Sequence, residues 1–74
     1  MDVITVSAVQ GGWIVENPRT LNPLMCLGGG KAEQKARELA LRACDRGRSA
    51  EVHIYDMAGQ LAGRIRYDGA SASA

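Results

Sequence analysis

Four residues in the second half of the chain could together contact a ligand. His53 and Tyr55 alternate along one strand-like segment, and Arg64 and Arg66 alternate along the segment that follows. Aromatic and arginine side chains on the exposed face of a small sheet can stack on bases and pair with phosphates. These residues are thus a candidate contact for nucleic acid or another ligand. Acidic residues flank both segments, so a solvated face with alternating charges is the simpler explanation.

The other reactive residues do not form a catalytic or metal-binding pattern. Catalysis by His53 would need a nucleophile or a paired carboxylate beside it, and Glu51 and Tyr55 are explained as solvent-facing strand residues. Cys26 and Cys44 form no CxxC pair, and one histidine cannot complete a zinc set. We expect both cysteines to be reduced and buried, with a disulfide as the alternative. The sequence therefore predicts a protein that is not an enzyme and has no cofactor and no metal.

The Gly-Gly-Gly-Lys sequence at 28–31 is similar to part of a phosphate-binding loop. Met25, however, stands where the first glycine of GxxxxGK[ST] belongs, and Ala32 replaces the hydroxyl residue that would bind Mg²⁺. We therefore predict a bend that precedes and caps a helix, whose amides could at most hold a stray anion.

One helix and two hairpins must position these residues. Small apolar residues recur at helical spacing between Lys31 and about Arg46, where the stripe is Ala32, Ala36, Leu39, Ala40 and Ala43. Glu33 is predicted to lie in the first turn of this helix, and Gly47 is predicted to end it. Strand patterns precede and follow this segment, with turns predicted at Gly11-Gly12 and at 57–60. The fold class predicted is α+β, with two β-hairpins flanking one amphipathic helix (ββαββ) that packs on one face of the sheet. Residues 1–68 are predicted to form a single domain and 69–74 a disordered tail, and 24–27 could add a short strand.

Each hairpin has one clean apolar face and one mixed face. The predicted core faces carry Ile4, Val6, Ala8, Trp13 and Val15 in the first hairpin and Val52, Ile54, Leu61 and Ile65 in the second. The turn at Gly11-Gly12 predicts that Ala8 lies opposite Val15. Strand order cannot be derived from these patterns, which are equally compatible with one continuous sheet and with hairpins exchanged between chains.

The mixed face predicts an interface between copies of the chain. Val3, Val9 and Ile14 would be left in water if a helix covers only the other face, and Tyr55 would add apolar area. Packing this face against a second copy would bury all of them. We therefore expect a non-enzymatic interaction module that forms a homodimer, and the alternative is a weak nucleic-acid-binding module that uses the exposed face of the C-terminal hairpin.

Composition supports the same expectation. The chain has 74 residues with no Phe, one Trp and two Tyr, so its core is built largely from small residues. Small cores leave little stability, and self-association is a common way to bury more surface. The first residues lack the basic and long apolar segments of a signal peptide, and no apolar run could span a membrane. We expect a cytoplasmic protein with no membrane partner.

Three segments together resemble a bacterial domain of unknown function, number 2188. They are a strand ending in Gly-Gly-Trp within 6–15, an alanine-rich helix at 33–44, and a closing hairpin at 51–66 that includes Asp56, Gly59, Arg64 and Ile65. The helix start departs from that family, because three glycines stand where it usually has Ser or Thr. The resemblance implies the same fold and a bacterial, cytoplasmic setting, and it implies no particular activity.

Overall fold

The structure, a computed structural model, describes residues 1–69, which form one helix and one five-stranded sheet. In chain order the elements are β1 (Asp2–Val9), β2 (Gly12–Glu16), β3 (Leu24–Cys26), α1 (Gly29–Asp45), β4 (Ala50–Tyr55) and β5 (Leu61–Tyr67). Of the predicted tail at 69–74, residues 70–74 lie outside the described part of the chain. Gly69 is buried, and its backbone N–H donates a hydrogen bond to Ser49 Oγ at 3.4 Å.

Parallel pairing of β1 with β4 joins the two hairpins into one sheet, in the order β3-β2-β1-β4-β5. The other neighbouring strands pair antiparallel. Because α1 carries the chain back across the sheet, β4 can begin beside β1 and run in the same direction. The α+β class and the helix between two hairpins are confirmed. The ββαββ arrangement differs from the prediction, since β3 adds a fifth strand next to β2.

The core lies between α1 and one face of the sheet. The helix contributes small buried residues, namely Ala32, Ala36, Ala40 and Ala43, as the helical spacing predicts. The sheet contributes Ile4, Val6, Val15, Ala50 and Val52, and Trp13 and Leu39 pack against this cluster from its margins. Because alanine has only a methyl side chain, the helix backbone can lie close to the strands and leave no space for larger residues.

The C-terminus of α1 ends in a Schellman motif. The backbone N–H of Arg48 donates to the carbonyl oxygen of Ala43, and that of Gly47 donates to Cys44, both at 2.9 Å. Gly47 has a φ of 80°, a left-handed conformation that glycine adopts without steric cost. The predicted stop at this glycine is therefore confirmed. The helix begins at Gly29, two residues before the predicted start at Lys31. Glu33 therefore lies beyond the first turn, although the sequence predicted it within that turn.

The turn of the first hairpin differs from the prediction by one residue. The loop is Gln10-Gly11, and Val9 pairs with Gly12. Gly11 has a φ of 86° and Gly12 a φ of 158°, and at Gly12, which belongs to β2, a Cβ would lie 2.6 Å from the carbonyl oxygen of Cys26. The close approach of the Cys26 carbonyl therefore leaves no room for a side chain at Gly12. Ala8 lies opposite Trp13 instead of Val15, and since the register moves by two residues every side chain keeps its predicted face.

The second hairpin has the predicted register over most of its length, with Val52 opposite Ile65. A β-bulge after Ile54 then places Leu61 opposite Tyr55. Leu61 therefore leaves the core face and is 50% exposed, so its assignment to the core was wrong. Ile65 lies on the helix side but is 39% exposed, because α1 makes little contact with the edge strand β5.

Candidate functional site

One face of the sheet is not covered by α1, and we call it the open face. Side chains alternate along each strand, and paired residues share a face. Because Ile4, Val6 and Val52 point towards the helix, their neighbours in sequence point away from it. The open face carries Val3, Thr5, Ser7, Val9, Ile14, Glu16, Met25, Glu51, His53, Tyr55, Leu61, Arg64 and Arg66. All the residues predicted for an interface or a ligand contact belong to this set.

Apolar side chains form one row across the open face. Ile14 of β2 pairs with Met25 of β3 and with Ser7 of β1. On the other half of the sheet Tyr55 pairs with Leu61, and the register of β1 with β4 places Tyr55 level with Ser7. We call Met25, Ile14, Ser7, Tyr55 and Leu61, one residue from each strand, the apolar row. Its central member, Ser7, is small and polar, and Val9 lies beside the row.

Much of this row is accessible to solvent. Met25 is 57%, Leu61 50% and Val9 38% exposed, whereas Ile14 and Tyr55 are half-buried by their neighbours in the sheet. Of the predicted interface residues, Val9, Ile14 and Tyr55 lie in or beside the row. Val3 does not, because it is four residues from Ser7 along β1, beside Glu51 of β4.

Glu51 organises the polar part of the open face. His53 Nε2 lies 2.8 Å from Glu51 Oε1, and Arg66 Nη1 lies 3.7 Å from Oε2 of the same carboxylate. The hydrogen bond with His53 lowers the pKa of Glu51 against the effect of desolvation, and the charges of Arg64 and Arg66 lower it further. We call Glu51, His53 and Arg66 the Glu51 cluster. Two of the four predicted ligand contacts are thus already engaged by a carboxylate of the protein.

Arg64 and Tyr55 complete the predicted ligand contacts. Arg64 lies opposite His53 across the strand pair, and Tyr55 lies two residues from His53 on the same strand. The structure therefore brings all four residues onto adjacent strands, as predicted. The chemistry that these four side chains can supply together is ion pairing and stacking.

The described residues offer little that could support cysteine or metal chemistry. Cys26 and Cys44 are both half-buried free thiols, on β3 and α1 respectively. Within 1–69, no three His, Cys, Asp or Glu side chains are grouped as metal ligands. The helix of the described residues is neither long nor apolar enough to cross a membrane.

A second charged group lies on the covered side of the sheet, at the start of β1. Asp2 is 5% exposed, and its carboxylate accepts hydrogen bonds from Arg19 Nε and Nη2 at 3.2–3.3 Å and from Arg48 Nε at 3.2 Å. We call these three residues the Asp2 cluster. The hydrogen bonds from Arg19, and secondarily from Arg48, lower the pKa of Asp2 although desolvation opposes them.

Sequence reasoning missed Met25, Leu61 and the Asp2 cluster. Met25 could have been found by extending the alternation of β2 into the short third strand. Leu61 could not, because a bulge changed its face. The Asp2 cluster joins residues 17 and 46 positions apart in sequence, and no local pattern connects them.

Comparison with models of known protein families, with curated proteins and with solved structures finds no match for this chain. The resemblance to the bacterial domain of unknown function stays a prediction.

Proposed function

We propose that the protein is a non-enzymatic interaction module that forms a homodimer through its open face. The observation that carries this proposal is the apolar row, which crosses the five strands of the described sheet and is half exposed at both ends. Contiguous exposed apolar surface on a small protein is typical of a binding site, since water contact is costly there. A core in which five of the buried residues are alanines also leaves this chain more to gain from further burial than a larger domain would have.

A second copy fits the row because the row is complementary to itself. When two open faces pack together about a two-fold axis parallel to the strands, β3 of one copy faces β5 of the other. Met25 then meets Leu61 of the other copy, Ile14 meets Tyr55, and the small Ser7 lies at the axis. This pairing closes the whole row without leaving an apolar end in water.

The same arrangement is complementary in charge. Glu16 lies on β2 opposite Thr5, one step from the apolar row. In the dimer it faces His53 of the other copy and lies near Arg64. Acidic and basic groups therefore meet at the polar margin of the interface, as they do in specific protein interfaces.

The size of the open face predicts a weak dimer. Five strands about 4.8 Å apart and about 20 Å long give a footprint of roughly 480 Å². A standard specific interface buries about 800 Å² per partner. We therefore expect a concentration-dependent equilibrium between monomer and dimer.

Nucleic-acid binding through His53, Tyr55, Arg64 and Arg66 is the second candidate. Tyr55 and Arg64 lie suitably on adjacent strands for stacking and phosphate pairing. Glu51 favours self-association over this candidate, because its carboxylate engages His53 and Arg66 and would repel a phosphate backbone.

Sedimentation equilibrium with a matched pair of variants tests the dimer. Leu61 and Leu41 are 50% and 48% exposed, but only Leu61 lies on the apolar row. The average mass should rise with loading concentration between roughly 10 µM and 1 mM, where small interfaces dissociate. Leu61→Glu should abolish the rise, whereas Leu41→Glu, on the outer surface of α1, should leave it unchanged. A monomer mass at every concentration, or equal effects of the two variants, would contradict the proposal.

Fluorescence anisotropy with a labelled single-stranded oligonucleotide tests the second candidate. Binding through the open face should weaken steeply with salt and be lost in Arg64→Ala/Arg66→Ala. The control Lys31→Ala/Arg37→Ala removes the same charge from exposed positions of α1. If both double variants lose binding equally, the contact is nonspecific and this candidate is wrong.

A further inference from the structure

A cavity of about 250 Å³ opens on the covered side of the molecule, where the start of β1, the loop after β2 and the end of α1 meet. Four arginines line it, namely Arg19, Arg42, Arg46 and Arg48, together with Asp2. Four guanidinium groups against one carboxylate leave three positive charges in excess around a single small volume. The whole chain has a net charge of +1, so this cavity concentrates more positive charge than the protein carries overall.

The arginines of the cavity fall into two pairs. Arg19 and Arg48 are held by Asp2, whose own position is fixed because its backbone N–H donates to the carbonyl oxygen of Ser49 at 3.0 Å. Arg48 donates to Asp2 through Nε, so its two Nη groups are not used in that hydrogen bond. A buried carboxylate thus holds two guanidinium groups at the cavity before any ligand arrives, which reduces the entropy lost on binding.

The second pair has no internal counter-charge. Arg42 and Arg46 extend from the end of α1, and within residues 1–69 neither makes an ion pair or a side-chain hydrogen bond. Their position suits the negative end of the helix dipole, equivalent to about half a charge. This half charge also opposes an anion in the cavity, but the excess of three arginine charges is several times larger.

We propose that this cavity binds the phosphate group of a small phosphomonoester. A guanidinium group matches the oxygens of a phosphate with two parallel hydrogen bonds, and four arginine side chains line this one cavity. A nucleic-acid backbone would instead need basic groups spread along a stripe. Leu39, which also lines the cavity, provides apolar contact for the organic part of the ligand.

Two titrations followed by ¹H–¹⁵N NMR at constant ionic strength test this site. The probes are inorganic phosphate and phenyl phosphate, at about pH 8, where both are largely dianions. We expect saturable shifts in the residues around the cavity, with phenyl phosphate binding more tightly because its ring contacts Leu39. Sodium chloride at the same ionic strength should not reproduce these shifts.

The variants separate the cavity from general electrostatics. Arg42→Gln/Arg46→Gln should weaken phenyl phosphate binding about tenfold or more, as expected for lost charge-assisted hydrogen bonds. Lys31→Gln/Arg37→Gln removes the same charge from exposed positions of α1 outside the cavity and should change binding less than about twofold. Leu61→Glu should also leave binding unchanged, which makes this site independent of the dimer.

Three outcomes would overturn the site. Shifts that do not saturate would show that the cavity holds no specific anion. Equal losses of phenyl phosphate binding in Arg42→Gln/Arg46→Gln and in its control double variant would show that the binding is a general effect of charge. Tighter binding of a single-stranded oligonucleotide than of phenyl phosphate, with the same residues shifted, would show that the arginines contact a nucleic-acid backbone instead.

Discussion

The two faces of the sheet hold similar residue types and use them differently. At neighbouring positions of β1 and β4, Asp2 lies on the covered face and Glu51 on the open face, and each carboxylate contacts two basic side chains. Asp2 is buried and holds its arginines in place beside a surplus of positive charge. Glu51 neutralises the basic groups around it. Burial and neighbouring charge therefore decide whether a carboxylate holds basic groups ready for a ligand or neutralises them.

The largest expected contrast between the two faces concerns adjacent residues of β1. Ile4→Ala should lower the free energy of unfolding by about 3 kcal/mol, because it leaves a cavity in a fully buried position. Val3→Ala, on the open face, should cost less than about 1 kcal/mol. Urea unfolding monitored by Trp13 fluorescence at low protein concentration measures both. Equal losses would mean that the open face is as closely packed as the core.

Close packing of the helix against the sheet predicts the next largest effect. Ala36→Leu should cost about 2 kcal/mol, since Ala36 is fully buried and extra atoms would push α1 from the strands. The matched control is Ala62→Leu, at an exposed position of β5. That change should leave the urea midpoint almost unaltered, and a neutral Ala36→Leu would disprove the close approach of helix and sheet.

Asp2→Asn tests the buried carboxylate and its pH dependence. The variant should lose about 1.5 kcal/mol at neutral pH, a modest value because the Arg19 side chain is 55% exposed. The pKa of Asp2 is lower in the folded than in the unfolded protein, so this stabilisation is fully present above the unfolded value of about 4. It should disappear as the pH falls through the lower folded value.

Urea midpoints measured between neutral and acidic pH check the sign of this effect. The difference between the wild-type protein and Asp2→Asn should be constant near neutrality and should shrink only in acid. A difference that grows on acidification would contradict the role assigned to Asp2.

The smallest effect is expected from the Glu51 cluster. Glu51→Gln should shift the urea midpoint less than Asp2→Asn does, because its partner Arg66 is 59% exposed and solvent screens the pair. The lowered pKa of Glu51 gives the same sign, with any stabilisation lost in acid. Raising the salt concentration should remove the remaining difference from the wild-type protein. A larger loss than in Asp2→Asn would reverse the comparison between the two faces.

Local sequence patterns were sufficient to predict the helix, the strands of both hairpins and much of the open face. The alanine stripe identified α1, Gly47 identified its end, and the alternation of polar and apolar residues assigned faces correctly along β1, β2 and β4. The first turn was predicted one residue too late in the chain. The predicted faces of its strands are nevertheless correct, because the register changed by an even number of residues. The assignment of Leu61 to the core face was wrong for the opposite reason, since a bulge inserts one residue and reverses the alternation of faces.

By itself the sequence determined one helix, two hairpins and the face on which most side chains lie, because these depend on periods of 3.6 and 2 residues along the chain. Only the tertiary structure decided the strand order, the alignment of Met25, Ile14, Tyr55 and Leu61 into one row, and the gathering of four arginines around one cavity. These features depend on which distant segments become neighbours. The parallel pairing of β1 with β4, made possible by the crossing of α1, brings those segments together.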